Sequence, residues 1–268
     1  MRILLPVDGS EHCRNALRFI ASRQALSPEK EATVELLNVQ HSIPEAVINA
    51  LGLDSVRKAS QDEGMKVIEA MREDAGDLDV RAKVEGGEFA PVIVREADHM
   101  DADLIVMGCR GLSAMEGFFV GSVSAKVISL TKRPLLLVRD KIPAGAMRVG
   151  ICVDHSDYAH AAEFVVNQRE FFGKDAVFEV INVSETEETF HQAVEPVMTV
   201  FEDAGVPAER VHLKGKVGDA ICNYAGEGKL DMLVIGSHGY GNFRAAFMGS
   251  TAMRITAGCE VPLLVLKA

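Results

Sequence analysis

The sequence predicts an α/β fold built twice in tandem, each copy a parallel, doubly wound sheet with helices on its faces. Two observations carry this. Short apolar runs alternate with longer amphipathic stretches along the whole chain, which is the pattern of strand–helix–strand crossovers. A glycine-spaced loop also recurs 128 residues later: Gly108-Cys109-Arg110-Gly111, nine residues, Gly121-Ser122 returns as Gly236-Ser237-His238-Gly239, nine residues, Gly249-Ser250.

In the first copy, Ile3-Leu4-Leu5-Pro6-Val7 places a strand near 2–7, and the stretch after Ser10 is helical near 11–25. A strand near 33–39 holds Leu36-Leu37-Asn38-Val39, and a helical stretch near 44–75 is broken around Gly52. A strand near 79–85, a helix near 89–100, a strand near 103–108, a helix near 122–131 and a strand near 134–139 complete the copy. The second copy puts strands near 148–153, 177–183, 209–214, 231–236 and 262–267. Matching residues include Arg2 and Arg148, Asp8 and Asp154, Asn38 and Asn182, and the runs starting at Pro134 and Pro262. The offset falls from 146 at Arg2/Arg148 to 128 at Gly108/Gly236, so the second copy lacks 18 residues, and the helix crossing 184–208 is expected to be smaller. Two domains follow, 1–142 and 147–268, joined by a short linker containing Pro143-Ala144-Gly145.

Composition fits two globular units that each bury a core: 48% of residues are hydrophobic and 25% charged. A net charge of -11 with no basic stripe argues against a nucleic-acid or anionic-membrane surface, so a bound anion must be held locally. Cysteines 13, 109, 152, 222 and 259 are odd in number and form no C-x-x-C pair, which points to reduced thiols rather than a disulfide framework. No apolar run has the length of a membrane span and the chain opens directly into a strand, so a cytoplasmic location is expected.

In doubly wound sheets ligands bind beyond the carboxyl ends of the strands, where strand order reverses. Asp8 ends the first strand and Gly108 the fourth, so both face one crevice if those strands are neighbours. Gly108 and Gly111 allow a tight turn and close approach of backbone to a ligand. Gly121 and Ser122 stand at a helix start, where free N–H groups and the helix dipole favour phosphate, and the Ser122 and Ser124 hydroxyls add donors. A nucleotide suits the length of the loop better than bare phosphate. Asp8 and Asp154 admit two roles, contact with a sugar or base and capping of the following helix.

This loop, following Asp103-Leu104-Ile105-Val106-Met107-Gly108 and preceding Lys132-Arg133-Pro134-Leu135-Leu136-Leu137-Val138, resembles that of the universal stress protein family, in its tandem two-domain form. The resemblance implies two Rossmann-like domains, each a five-stranded parallel sheet of order 3-2-1-4-5, paired through their last strands. It also implies that ATP or a related adenine nucleotide is the ligand; Asp8 and Mg²⁺ brought in with the nucleotide are the two options for the metal and charge at the phosphates. Carried over by position, base and ribose fall near Asp8, Val39 and Met107, with phosphates on Gly108, Gly111, Gly121, Ser122, Val123 and Ser124. The second set is Asp154, Val183, Ile235, Gly236, Gly239, Gly249, Ser250, Thr251 and Ala252. Ala252 lacks the Ser124 hydroxyl, and His155 stands where the first copy has Gly9, so the first site is expected to bind more tightly.

Catalysis is expected to be weak or absent. No G-x-x-x-x-G-K-[ST] loop occurs, and no lysine or carboxylate pair in the glycine loops would stabilise a transferring phosphoryl group. The main expectation is a stress-response or regulatory protein that binds adenine nucleotide in one or both loops. A slow ATP-hydrolysing or phosphotransfer enzyme and a nucleotide-free dimerisation module are the alternatives. Expected partners are the nucleotide and the chain's own halves, packed as an internal pseudo-dimer with a further homodimer open to it, without nucleic acid or membrane.

Overall fold

The computed structural model describes residues 1–26, 32–43, 48–49, 52–109, 121–140, 142–143, 145–154, 159–236 and 249–267. In the first half the elements run β1 (Arg2–Pro6), α1 (Glu11–Leu26), β2 (Thr33–Gln40), α2 (Leu53–Glu69), β3 (Asp79–Gly86), α3 (Phe89–His99), β4 (Leu104–Gly108), α4 (Ser122–Leu130) and β5 (Leu135–Val138). The second half gives β6 (Arg148–Cys152), α5 (Ala159–Asn167), β7 (Val177–Val183), α6 (Glu187–Asp203), β8 (Ala208–Leu213), α7 (Val217–Tyr224), β9 (Met232–Gly236), α8 (Ser250–Gly258) and β10 (Leu263–Leu266).

All ten strands join one sheet in the order β3-β2-β1-β4-β5-β10-β9-β6-β7-β8. Each half therefore has the expected order 3-2-1-4-5, parallel throughout, and the junction β5–β10 is antiparallel, pairing Leu135 with Val265, Leu136 with Leu264 and Leu137 with Leu263. Side chains alternate across each strand. Ile3, Leu5 and Val7 pack with α1 and α2, in a core that continues through α5 and α6, while Leu4 and Ile105 pack on the opposite face with α3, α4, α7 and α8. Strands buried on both faces read as continuous apolar runs, which is why they stand out in the sequence.

Side chains from the first half also reach across the junction. Arg23, only 2% exposed, donates from Nη1 to the Gly145 carbonyl at 2.7 Å and from Nη2 to that of Pro143 at 2.9 Å, tying the linker to α1. Buried Arg139 donates from Nη2 to the Thr256 carbonyl in the last turn of α8.

Two expectations are corrected. The crossover helix of the second half is not smaller, since α6 has 17 residues and so does α2. In the second half only residues 184–186 join β7 to α6. Nor are all cysteines free thiols. Cys222 and Cys259 form a disulfide with Cα atoms 4.8 Å apart, and Cys13, Cys109 and Cys152 are buried and unpaired. Among the described residues no helix is long and apolar enough to cross a membrane.

Candidate functional site

Strand order reverses between β1 and β4 in the first half and between β6 and β9 in the second. Asp8 and Gly108 thus stand at the carboxyl ends of neighbouring strands, as do Asp154 and Gly236. Asp8 is exposed on a half-buried turn. Its Oδ1 accepts from the Ser10 amide at 2.9 Å and from the Cys13 thiol at 3.1 Å. Burial alone would raise its pKa, but these hydrogen bonds outweigh it and hold the carboxylate below its ordinary value. Asp8 thereby braces the entry into α1, one of the two roles open to it, and remains at the carboxyl edge of the sheet.

Val39, Met107 and Ile235 are buried in the core on the α3/α4/α7/α8 face, with Val183 packed against its edge. They are the residues that the resemblance puts beside base and ribose. Gly108 serves a purpose the sequence did not disclose. A Cβ there would lie 2.1 Å from the His12 carbonyl oxygen, so the glycine lets the first turn of α1 close onto the end of β4. That contact joins positions far apart in the chain, and no local signal announces it.

Gly121 is the N-cap of α4 (φ −51°, ψ 142°) and Gly249 the N-cap of α8 (φ −58°, ψ 152°). Among the described residues no side-chain cap bond is made at either start, and none of them comes nearer to a Cβ on Gly121 than Ser124 Oγ at 3.9 Å. Ser122 is exposed and Val123 half-buried beside it, as are the exposed Ser250 and Thr251 in the second half. Ser124 differs from expectation: it is buried, and its hydroxyl sits 3.7 Å from the Cys109 sulfur rather than open to a ligand. Burial pushes the Cys109 thiol up, so it is not a thiolate nucleophile. Ala252, at the matching place in α8, is likewise buried. Gly111, Gly239, His155, Arg110, His238 and the aromatic residues of both glycine loops lie outside the described residues.

Asn38 and Asn182 are the supporting residues that sequence reasoning left unassigned. Both are buried at the ends of β2 and β7, and their Nδ2 groups donate to the carbonyls of Val7 at 2.8 Å and Val153 at 2.9 Å. Each fixes the backbone immediately before the strand-end aspartate. A polar residue recurring within two apolar strands was the available signal. In the first half, His12 Nδ1 also lies 3.1 Å from Asp140 Oδ1 at the same sheet edge. Among the described residues no group of three or more histidine, cysteine, aspartate or glutamate side chains could hold a metal ion.

Comparison with known proteins agrees with this architecture. The model of the universal stress protein family matches residues 1–139 and 165–267. Universal stress protein YxiE of Bacillus subtilis (strain 168) is 32% identical over 151 residues, 52% of this chain and 98% of that protein. Universal stress protein Sll1654 of Synechocystis is 31% identical over 138 residues, 51% of this chain and 83% of that protein. The crystal structure of a universal stress protein from Archaeoglobus fulgidus superposes with a TM-score of 0.75 at 22% identity, covering 99% of this chain and 98% of that one, which shows the shared fold across both halves. The two sequence relatives each account for about half of the chain, as expected of a repeated unit. With its duplicated sheet, its paired glycine loops and a family match over most of its length, the chain belongs to the universal stress protein family.

Proposed function

We propose that this chain is a regulatory protein that binds ATP or a related adenine nucleotide at the carboxyl edge of one or both half-sheets. The observation that carries the reading is the pair of helix starts at Gly121 and Gly249, both with glycine as N-cap, neither capped by a side chain among the described residues, and both at a switch point of the sheet. The N–H groups of a helix start and the positive end of the helix dipole suit phosphate, and the apolar side chains of Val39 and Met107, or Val183 and Ile235, suit a base. Asp8 and Asp154 stand at the strand ends for sugar or base contact. The tandem arrangement gives two such sites in one molecule, which allows occupancy to bias how the halves pack.

Gly121→Val and Gly249→Val place a side chain over each helix start. Titration calorimetry is expected to lose whatever ATP is bound at the altered half with each single variant and all binding with the double variant. Unchanged ATP binding in the double variant would overturn the reading. ATP turnover above about 1 s⁻¹, in the range of ordinary kinases, would favour an enzyme instead.

A further inference from the structure

The two halves hold the last turn of the helix after the glycine loop in different ways. In the first half, the end of α4 is fastened by charge. Thr131 Oγ1 accepts from the Arg133 amide at 2.9 Å, and the Arg133 guanidinium binds Asp98 at 3.2 Å, Asp101 at 2.8 Å and the Ala102 carbonyl at 3.1 Å. The strand registers, Ile105 beside Leu135 and Leu233 beside Leu263, fix which residues correspond in the second half. There Arg133 is replaced by Val261, Asp98 by Gly226 and Asp101 by Lys229, so every charged member of that last-turn fastening is gone, while Arg254 earlier in α8 still binds Asp219 of α7 at 2.7 Å. In the same places Thr131 becomes Cys259 and Val94 becomes Cys222, and these two cysteines are bonded. Cys259 closes α8, its amide donating to the Ile255 carbonyl at 2.9 Å, and Cys222 lies in α7.

We propose that Cys222–Cys259 is a reversible thiol–disulfide modification site that replaces the ionic fastening, and that its redox state sets how firmly α8 is held against α7. The inference does not depend on nucleotide binding. Cys259 is 1% exposed, whereas Cys222 is only partly buried, so exchange begins at Cys222. A small-molecule thiolate attacks the Cys222 sulfur, forming a mixed disulfide and releasing Cys259 as a thiolate that takes up a proton. A second thiol attacks the small-molecule sulfur of that mixed disulfide and frees Cys222. Two thiols are oxidised to one small-molecule disulfide, and the protein gains two electrons and two protons; oxidation by a small-molecule disulfide is the reverse. The first half keeps its ionic fastening at any redox poise, so the response is confined to the helix that follows the second glycine loop.

The intact protein, equilibrated in graded glutathione buffers, acid-quenched and alkylated in denaturant, is expected to carry three labels when oxidised, on Cys13, Cys109 and Cys152, and five when reduced. Hydrogen exchange across α8 should be about tenfold faster in the reduced form, with α4 unchanged as the internal reference. Cys222→Ser with Cys259→Ser should match the reduced form in every buffer. Five labels even in fully oxidising buffer, or α8 exchange that is the same in both forms, would overturn the proposal.

Discussion

Glycines 108 and 121 belong to one loop pattern, yet the structure gives them opposite demands. Gly108 is packed against the α1 backbone, whereas at Gly121 no described residue comes nearer to a Cβ than Ser124 Oγ at 3.9 Å. Gly108→Ala is expected to lower the stability to urea unfolding by about 3 kcal/mol, because a Cβ 2.1 Å from the His12 carbonyl oxygen must push α1 away from β4. Gly121→Ser should leave stability level or raise it slightly, since serine is a good N-cap. Equal losses in both would mean that the loop as a whole, and not the α1 contact, requires glycine. The two buried asparagines separate in the same manner. Asn38 Oδ1 accepts from Gln40 Nε2 at 2.6 Å, whereas Asn182 Oδ1 has no hydrogen-bond partner among the described residues. Asn38→Ala should therefore cost about 1 kcal/mol more than Asn182→Ala in the same assay. The spacing of the loop was legible in the sequence because it repeats. The reason for Gly108 was not, because it depends on a helix more than ninety positions earlier in the chain.

Strand and helix positions were legible to within a residue or two wherever both faces of a strand are buried, as in β4 and β9. The crossover α6 was not, because an 18-residue difference between copies does not say whether helix or loop is shortened. The disulfide was equally hidden, since its cysteines are 37 positions apart and form no recognisable spacing. What α6 does carry is an ionic contact to its neighbouring strand. Arg210 of β8 binds Glu195 at 2.9 Å, and together with His191 it holds that carboxyl at about 2. The folded-state value lies below the ordinary glutamate value of 4.5, so the contact is fully present above that pH and is lost as pH falls from 4.5 toward about 2. In Arg210→Gln, Glu195 followed by carboxyl NMR should titrate closer to 4.5. A titration unmoved by that change would show that Arg210 is not what holds the group. Because both side chains are largely exposed, the effect on global stability should be small.

The molecule as a whole is two half-sheets sealed edge to edge, and the seal accounts for the tandem chain. Leu135 to Val138 of β5 are at most 1% exposed, and the outer edge of this strand is paired with β10 through Leu135, Leu136 and Leu137. A free apolar edge of this kind templates pairing with another chain. Residues 1–142 produced alone are therefore expected to form a homodimer through β5 rather than remain a monomer. The geometry permits it: Arg139 donates to the Thr256 carbonyl of α8, and the equivalent position in α4 is Ile128, whose carbonyl offers the same acceptor. Sedimentation at micromolar concentration checks the mass, and mixing with separately produced residues 147–268 should convert part of that homodimer into a one-to-one pair. A monomeric first half that also ignores the second would mean that the linker, clamped by Arg23 through Pro143 and Gly145, and not the β5 edge, is what brings the halves together.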